Sequence, residues 1–291
     1  MDNTSPRVVV FGPASWNQMV MLDRLPEPVP HMQFANDSWH TVGGTSAGKA
    51  LHLTSLGVDP MLHTLLANDG DGRRVADALR GAGVALTVHE ADRTERHLNL
   101  MTPHGERVSL YLATPAPATV HQQAELLAAL RGSDHAVIDL TETGRLLIAR
   151  VREAEHPPTI WVDLHDYDGM ADFHEPFLRA ADVVFMNGDA TDDPEALIRS
   201  CVARGPALAV CTLGAEGSIA VAVDGTTARV KAEPIVDIVD TNGAGDAFMA
   251  GFLAAHIAGA TLNESLAAAA RQARTALETK HLHPLLDAIE G

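Results

Sequence analysis

The chain has 291 residues, enough for one large domain or two ordinary ones with a substantial core, and 46% apolar with 20% charged residues is a globular composition that excludes extended disorder. Its 38 acidic against 21 basic residues give a formal net charge of −17, the wrong sign for gripping nucleic acid or an anionic membrane. Two cysteines, Cys201 and Cys211, are too few for a disulfide framework and exclude a cysteine-ligated structural zinc.

From the N-terminus, a short polar leader passes straight into Arg7-Val-Val-Val-Phe11 without a secretory signal pattern, so a cytoplasmic location is expected. Short Val/Ile/Leu runs over Val8–Phe11, Pro60–Leu65, Ala136–Leu140, Ile160–Asp163, Val183–Met186 and Ala207–Thr212 read as buried strands. Helical patterns at Ser46–Leu56, Gly72–Gly81, Gln122–Leu130, Thr143–Glu155, Phe177–Ala181 and Pro194–Arg204 alternate with them. This alternation predicts an α/β fold, a mostly parallel central sheet with helices on both faces. Ser15–Leu22 and Gln33–Val42 look extended, and Arg96–Met101 with Glu106–Leu112 flank a Pro103-His104-Gly105 turn. Such hairpins do not join a parallel core easily, so residues of roughly 13–44 and 95–113 are expected to form a small β-sheet lid. No repeat or linker divides the chain, and 1–291 is read as a single domain. Ala244 to Leu262 is the most apolar long stretch, but Asp246 and His256 make it a buried helix rather than a membrane span; Leu266–Leu277 is another helix.

The chemistry concentrates in Asp237 to Leu253. Asn242, Gly243 and Gly245 suit a tight turn, and the small and apolar residues from Ala247 onward suit a buried helix, so a helix starts near Gly245. Its unpaired first amides and aligned peptide dipoles form an anion site suited to phosphate. A carboxylate in the first turn, Asp246, is either a dipole partner and cap or a group that takes the proton of an attacking hydroxyl.

Asp240-Thr-Asn-Gly-Ala-Gly-Asp246 resembles the C-terminal signature of ribokinase-like (PfkB) carbohydrate kinases. The resemblance implies Asp246 as general base, the Gly243, Ala244 and Gly245 amides as the hole for the transferring γ-phosphate, and Thr241 and Asn242 beside the nucleotide. Val42 to Gly57 is similar to the N-terminal signature, where Gly43, Gly44 and Thr45 would approach the acceptor. Gly12, Asn17, Asp23 and Leu25-Pro26 resemble the opening strand and first lid segment, and Asn68-Asp-Gly-Asp-Gly72 an imperfect Gly-x-Asp-x-x-Gly stretch. Thr212-Leu-Gly-Ala-Glu-Gly217 looks like the nucleotide-bordering turn, with Thr212, Gly214 and Gly217 as its fixed positions.

Three departures bear on substrate and metal. Asn17 stands where sugar-phosphorylating members usually have Asp, and Gly48 where they have Asn, so both contacts to sugar hydroxyls are altered and a nucleoside or another polyol becomes a candidate acceptor. In Met186-Asn-Gly-Asp-Ala190, Asn187 is retained but Ala190 replaces the Glu that helps organise Mg²⁺; Asp189 or Asp192 substitutes, or the ion relies on nucleotide phosphates and water. Adenine contacts are expected near Ala268–His283.

Gly43 to Lys49 also fits part of a P-loop, but Ala50 follows where Ser or Thr would bind Mg²⁺, and Lys49 is expected on the helix surface. Asp163-Leu-His-Asp-Tyr-Asp168 ends a strand where α/β proteins put ligands, so Asp163 is either a substrate contact or part of a capping loop, and Thr141 and Glu142 are in the same position. The 15 histidines show no zinc spacing and are expected at the surface or in packing. The expected activity is transfer of the γ-phosphate of ATP to a hydroxyl of a sugar-like small molecule with Mg²⁺, and the resemblance further implies a site for K⁺ near the Asp240 loop and a homodimer through the lid edges. The alternatives are a nucleoside kinase of this family and a non-catalytic nucleotide or sugar sensor.

Overall fold

The computed structural model describes residues 6–287. In chain order the elements are β1 (Val8–Phe11), β2 (Ser15–Met21), β3 (Asp37–Gly43), α1 (Thr45–Ser55), β4 (Met61–Leu66), α2 (Gly70–Gly81) and β5 (Ala85–Glu90). Then come β6 (Glu95–Met101), β7 (Arg107–Ala113), α3 (Val120–Arg131), β8 (His135–Ile138), α4 (Glu142–Arg152), β9 (Thr159–Asp163) and α5 (Glu175–Ala180). The chain continues through β10 (Val183–Asn187), α6 (Pro194–Val202), β11 (Leu208–Thr212), β12 (Ser218–Ala222), β13 (Thr227–Val230), α7 (Ala244–Ile257) and α8 (Leu262–Leu277).

Nine strands form one sheet in the order β13-β12-β11-β10-β9-β8-β1-β4-β5, parallel except for β12 and β13. Because successive side chains alternate across a strand, β1 divides its four residues between two cores. Val8 and Val10 pack with α1, α2, α7 and α8; Val9 and Phe11 pack with α3 to α6. Both faces being covered, the inner strands read as continuous apolar runs, which is why they are legible in the sequence.

The remaining strands form a separate sheet, β3-β2-β6-β7, in which β2 pairs antiparallel with β3 and parallel with β6. These are the segments expected to stand apart from the parallel core. The extended stretch expected from Gln33 becomes a strand only at Asp37. Three strands lie beyond those expected from the sequence: β5 at one edge, where the residues are mixed and mostly exposed, and the β12–β13 hairpin at the other, which turns at Asp224-Gly225 and whose β12 is nonetheless a buried apolar run. Helix ends shift for identifiable reasons. The helix expected from Leu266 begins at Leu262 because Thr261 and Glu264 close a reciprocal capping box, and the one expected from Thr143 begins at Glu142, capped by the Thr141 hydroxyl. Among the described residues no helix is long and apolar enough to cross a membrane.

Candidate active site

The strand order reverses at β1: the chain proceeds to β4 and β5 on one side and later to β8, β9 and β10 on the other. Open α/β sheets leave a crevice at the carboxyl ends of strands at such a point. Here α1 and α7 both point their N-termini into it. α1 approaches so closely that a Cβ on Gly12, just past β1, would overlap the Ser46 hydroxyl and stand 2.8 Å from Asp139 Cβ. α7 starts on Gly243, whose φ of 78° lies in the left-handed region that favours glycine. No side chain caps α7, so its opening amides are free of the hydroxyl and carboxylate caps that close α2, α3, α4, α6 and α8.

Asp246, in the first turn of α7, is buried, and its surroundings set its chemistry. Its Oδ1 accepts from Lys49 Nζ at 2.7 Å. The same ammonium lies 2.9 Å from Asp139 Oδ1, just past β8, and 3.7 Å from Asp163 Oδ2, at the end of β9. Asp139 Oδ2 accepts from the Thr45 and Ser46 hydroxyls at 2.9 and 2.5 Å. Lys49 is therefore a 1%-exposed cation among three carboxylates, not the helix-surface residue expected from the sequence. Burial alone would push its pKa down, but the three carboxylates outweigh that and hold it above the ordinary lysine value, so it stays charged. Asp139 is held below the usual carboxylate range: burial raises it, and Lys49, His165 and the Ser46 hydroxyl together overcome that. Asp246 goes the other way. Desolvation pushes it up to about 6, with Asp139 and Asp163 adding to the rise and Lys49 opposing it.

The other Asp246 oxygen explains Gly48. A Cβ on Gly48 would stand 3.1 Å from Asp246 Oδ2, tighter than ordinary van der Waals contact. Gly48 thus lies against the carboxylate inside α1 and does not line the cleft.

The cleft in front of Asp246 has a volume of about 510 Å³ and is roofed by one face of the small sheet. Alternation brings Asn17 and Met19 of β2, Glu95, His97 and Asn99 of β6, and Arg107, Ser109 and Tyr111 of β7 to that face. They are tied to one another: His97 Nε2 to Glu95 Oε1 at 2.9 Å, and the Ser109 hydroxyl to Asn99 Oδ1 at 2.6 Å. The Asn17 amide occupies the space a Cβ on Gly43 would need, and its Oδ1 accepts from the Ser15 hydroxyl at 2.8 Å. Asn17, Gly43, Gly44, Thr45 and Asp163 all line this cleft. Arg107 donates to Asn242 Oδ1, joining the roof to the turn before α7. That turn is braced by Asp240, whose Oδ1 accepts from Asn242 N at 2.9 Å and from its Nδ2 at 2.7 Å.

A second cleft of about 650 Å³ opens on the far side of this turn. Asn187, Asp189, Thr212, Thr241 and Gly245 form the wall common to both. Gly214, Gly217 and Ala244 line only the second, while Asn242, Gly243 and Asp246 line only the first. Its flanks are apolar: Ile235 and Ile238 on one side, Phe248, Ala270, Ala273 and Leu277 on the other. A flat heteroaromatic base fits such flanks, and the glycines suit a phosphate chain. Cβ atoms on Gly245 and Gly214 would meet no protein atom within 4 Å, so open space lies beside their backbones.

The fit to Mg²⁺ is different. Among the described residues no group of three or more His, Cys, Asp or Glu side chains could hold a metal. Asn187 is engaged with Asp166 and with the Asp189 amide, leaving the Asp189 carboxylate as the acidic group on the common wall. The described residues therefore offer no cage for the ion.

Sequence reasoning missed Lys49 and Asp139 as members of the site. The sequence points the other way for Lys49, since Thr45, Lys49 and His52 recur at helical spacing as a solvated stripe would, and only the folded structure shows that Ser46 to Leu53 are all buried; the signal that would mark an inward-facing lysine, a helix with no polar stripe, is missing. Arg107 and the His97–Asn99 row carried no signal either, since strand register decides which face they occupy.

This geometry belongs to a recognisable class, and comparison agrees. The pfkB family of carbohydrate kinases matches residues 174–287. An acarbose 7(IV)-phosphotransferase from an Actinoplanes species is 31% identical over 264 residues, covering 89% of this chain and 88% of that protein. A microbiome-derived acarbose kinase structure superposes with a TM-score of 0.79 at 28% identity, over 94% of this chain and 93% of that one. Arabidopsis thaliana ribokinase, solved with ribose and ATP, shares the fold with a TM-score of 0.78 at 21% identity, over 96% and 95% of the two chains. The fold is ribokinase-like. The chain belongs to the pfkB family of carbohydrate kinases, phosphotransferases with an alcohol group as acceptor.

Proposed function

We propose that this protein transfers the γ-phosphate of ATP to a hydroxyl of a sugar-type acceptor, with Asp246 as the general base. The observation that carries the reading is the position of Asp246: a buried carboxylate with one oxygen fixed by Lys49, at the free N-terminus of α7, where the two clefts share a wall.

In this reading the second cleft takes the adenine between its apolar flanks, with Thr212, Gly214 and Gly217 along the phosphates, and the first takes the acceptor beside Asn17, Gly43, Gly44 and Asp163. Asp246 Oδ2, which Lys49 leaves unbound, accepts the hydroxyl proton as the oxygen forms its bond to the γ-phosphorus and the bond to the β,γ-bridging oxygen breaks, releasing ADP. The Gly243, Ala244 and Gly245 amides and the α7 dipole stabilise charge on the moving phosphoryl group. Mg²⁺, arriving on the nucleotide phosphates and water, would supply further charge neutralisation. The small sheet excludes water, which would otherwise compete as acceptor. The exposed β7 strand at the edge of the small sheet supports a homodimer paired through the lid, which light scattering checks.

The test is a coupled ADP-release assay over sugars, sugar phosphates, nucleosides and inositols. Acarbose heads the panel because two relatives are named for it. Acceptor-dependent ADP formation is expected; ligand binding without ADP release from any acceptor would make the protein a sensor on this fold.

A further inference from the structure

A third cavity, of about 570 Å³, lies on the opposite side of the first cleft from the nucleotide cleft. The three run in a row along the carboxyl edge of the main sheet, from the ends of β10 and β11, past β9 and β8, to β1 and β4. The third shares six wall residues with the first: Pro13, Thr45, Glu95, Tyr111, His165 and Asp166. Each cavity is large enough for a small-molecule ligand, so a single sugar ring held at Asp246 leaves the third unfilled.

Its walls define what they would accept. The floor is apolar, from Phe11, Leu65, Leu140 and Phe173, and the Tyr111 ring stands at its boundary with the first cleft. Around this lie threonine hydroxyls and the carboxylates of Glu95, Glu142 and Asp166, with no lysine or arginine. Of its two histidines, His174 is kept neutral by burial, which lowers its pKa. An anionic group would meet the carboxylates of Glu95 and Asp166 there, and the Arg145 guanidinium beside the rim is already held by Glu142 Oε2 at 2.9 and 3.0 Å. Apolar surface edged by hydroxyls and carboxylates suits a polyhydroxylated ring, whose C–H faces pack on the floor and whose O–H groups donate at the rim.

The saddle between the cavities is a built feature. His165 is the one non-glycine residue with positive φ among those described, at 51°, and it is held there by its amide to Asp163 Oδ1 at 3.0 Å and its Nδ1, 3.4 Å from Asp163 Oδ2. Asp163 also faces Lys49, so the saddle and the candidate base are set by one carboxylate.

Resting on the kinase reading above, we infer that the third cavity holds the distal ring of an extended, anion-free acceptor that crosses the His165–Asp166 saddle, with the reacting hydroxyl at Asp246. The substrate class would then be glycosides of two or more rings rather than free monosaccharides.

The test measures coupled ADP release with α- and β-linked neutral disaccharides, their component monosaccharides, disaccharides carrying a distal phosphate or carboxylate, and nucleosides. It uses the wild type and the wall variants Ala116→Trp and Thr114→Trp, which narrow the third cavity without entering the core. The best neutral disaccharide is expected to exceed its component by at least about tenfold in kcat/KM, both variants to reduce that ratio at least about tenfold, and a distal anion to abolish the advantage. A monosaccharide or nucleoside as the preferred acceptor, or a ratio unmoved by both variants, overturns the inference and leaves the kinase reading standing. Absence of ADP release with every acceptor overturns the kinase reading itself, and this inference with it.

Discussion

Replacing Lys49 with Met removes the cation that three buried carboxylates share. At an effective dielectric of about 20, the attraction between Nζ and Asp246 Oδ1 at 2.7 Å is ~6 kcal/mol. Water entering the vacated space would cancel part of it. A two-unit rise in the Asp246 pKa consumes only about 2.7 kcal/mol of that attraction. From a starting value of about 6, such a rise leaves roughly one Asp246 in ten ionised at pH 7. The expected phenotype is a kcat/KM lowered at least about tenfold at pH 7 and recovered as the pH approaches about 9, read from ADP release across pH. Breaking a buried pair also costs about 3–5 kcal/mol of stability, so thermal unfolding should shift down in parallel. Should Lys49→Met not fold, Lys49→Met with Asp163→Asn removes one of the stranded charges and keeps the same pH readout. A variant whose pH midpoint matches wild type and whose kcat/KM is within about threefold would show that the ammonium does not govern Asp246.

Wild-type kcat/KM should fall about tenfold per pH unit below pH 6, because a base whose pKa is raised to about 6 is protonated there; a profile flat to about pH 5 would contradict the assignment. Gly48→Ala places a methyl 3.1 Å from Asp246 Oδ2, and should lower kcat by about tenfold or more with ATP affinity changed less than about threefold, measured by steady-state kinetics and calorimetry. Gly245→Ala adds a methyl that meets no protein atom within 4 Å but projects beside the wall shared by the two clefts. Its melting temperature should stay near wild type while turnover drops about tenfold or more, and a matching loss of stability would argue for a packing role instead.

What can be read from the sequence follows from what each feature requires. The anion site proposed for the turn and helix from Asp240 to Asp246 would be made of backbone amides, which demands glycines at fixed local positions, so a short stretch announces it. The inner strands are legible because both of their faces are covered. Lys49 is not, since its partners lie at positions 139, 163 and 246 and only the folded sheet and α7 bring them together. Gly48 looks like a lost acceptor contact when read alone; beside Asp246 it is the space the carboxylate occupies. The cleft roof depends on the register of β2, β6 and β7, and the third cavity on loops after β7 and β8 that carry no signature.

The most direct test of the account is phosphoryl transfer by Asp246→Asn, measured with the best acceptor at saturating ATP alongside nucleotide binding and thermal unfolding. Loss of the base should lower kcat at least about a hundredfold while the variant folds and binds nucleotide nearly as wild type does. Turnover within a few-fold of wild type would remove Asp246 from the reaction and, with it, the role assigned to the ammonium and the glycine that hold it in place.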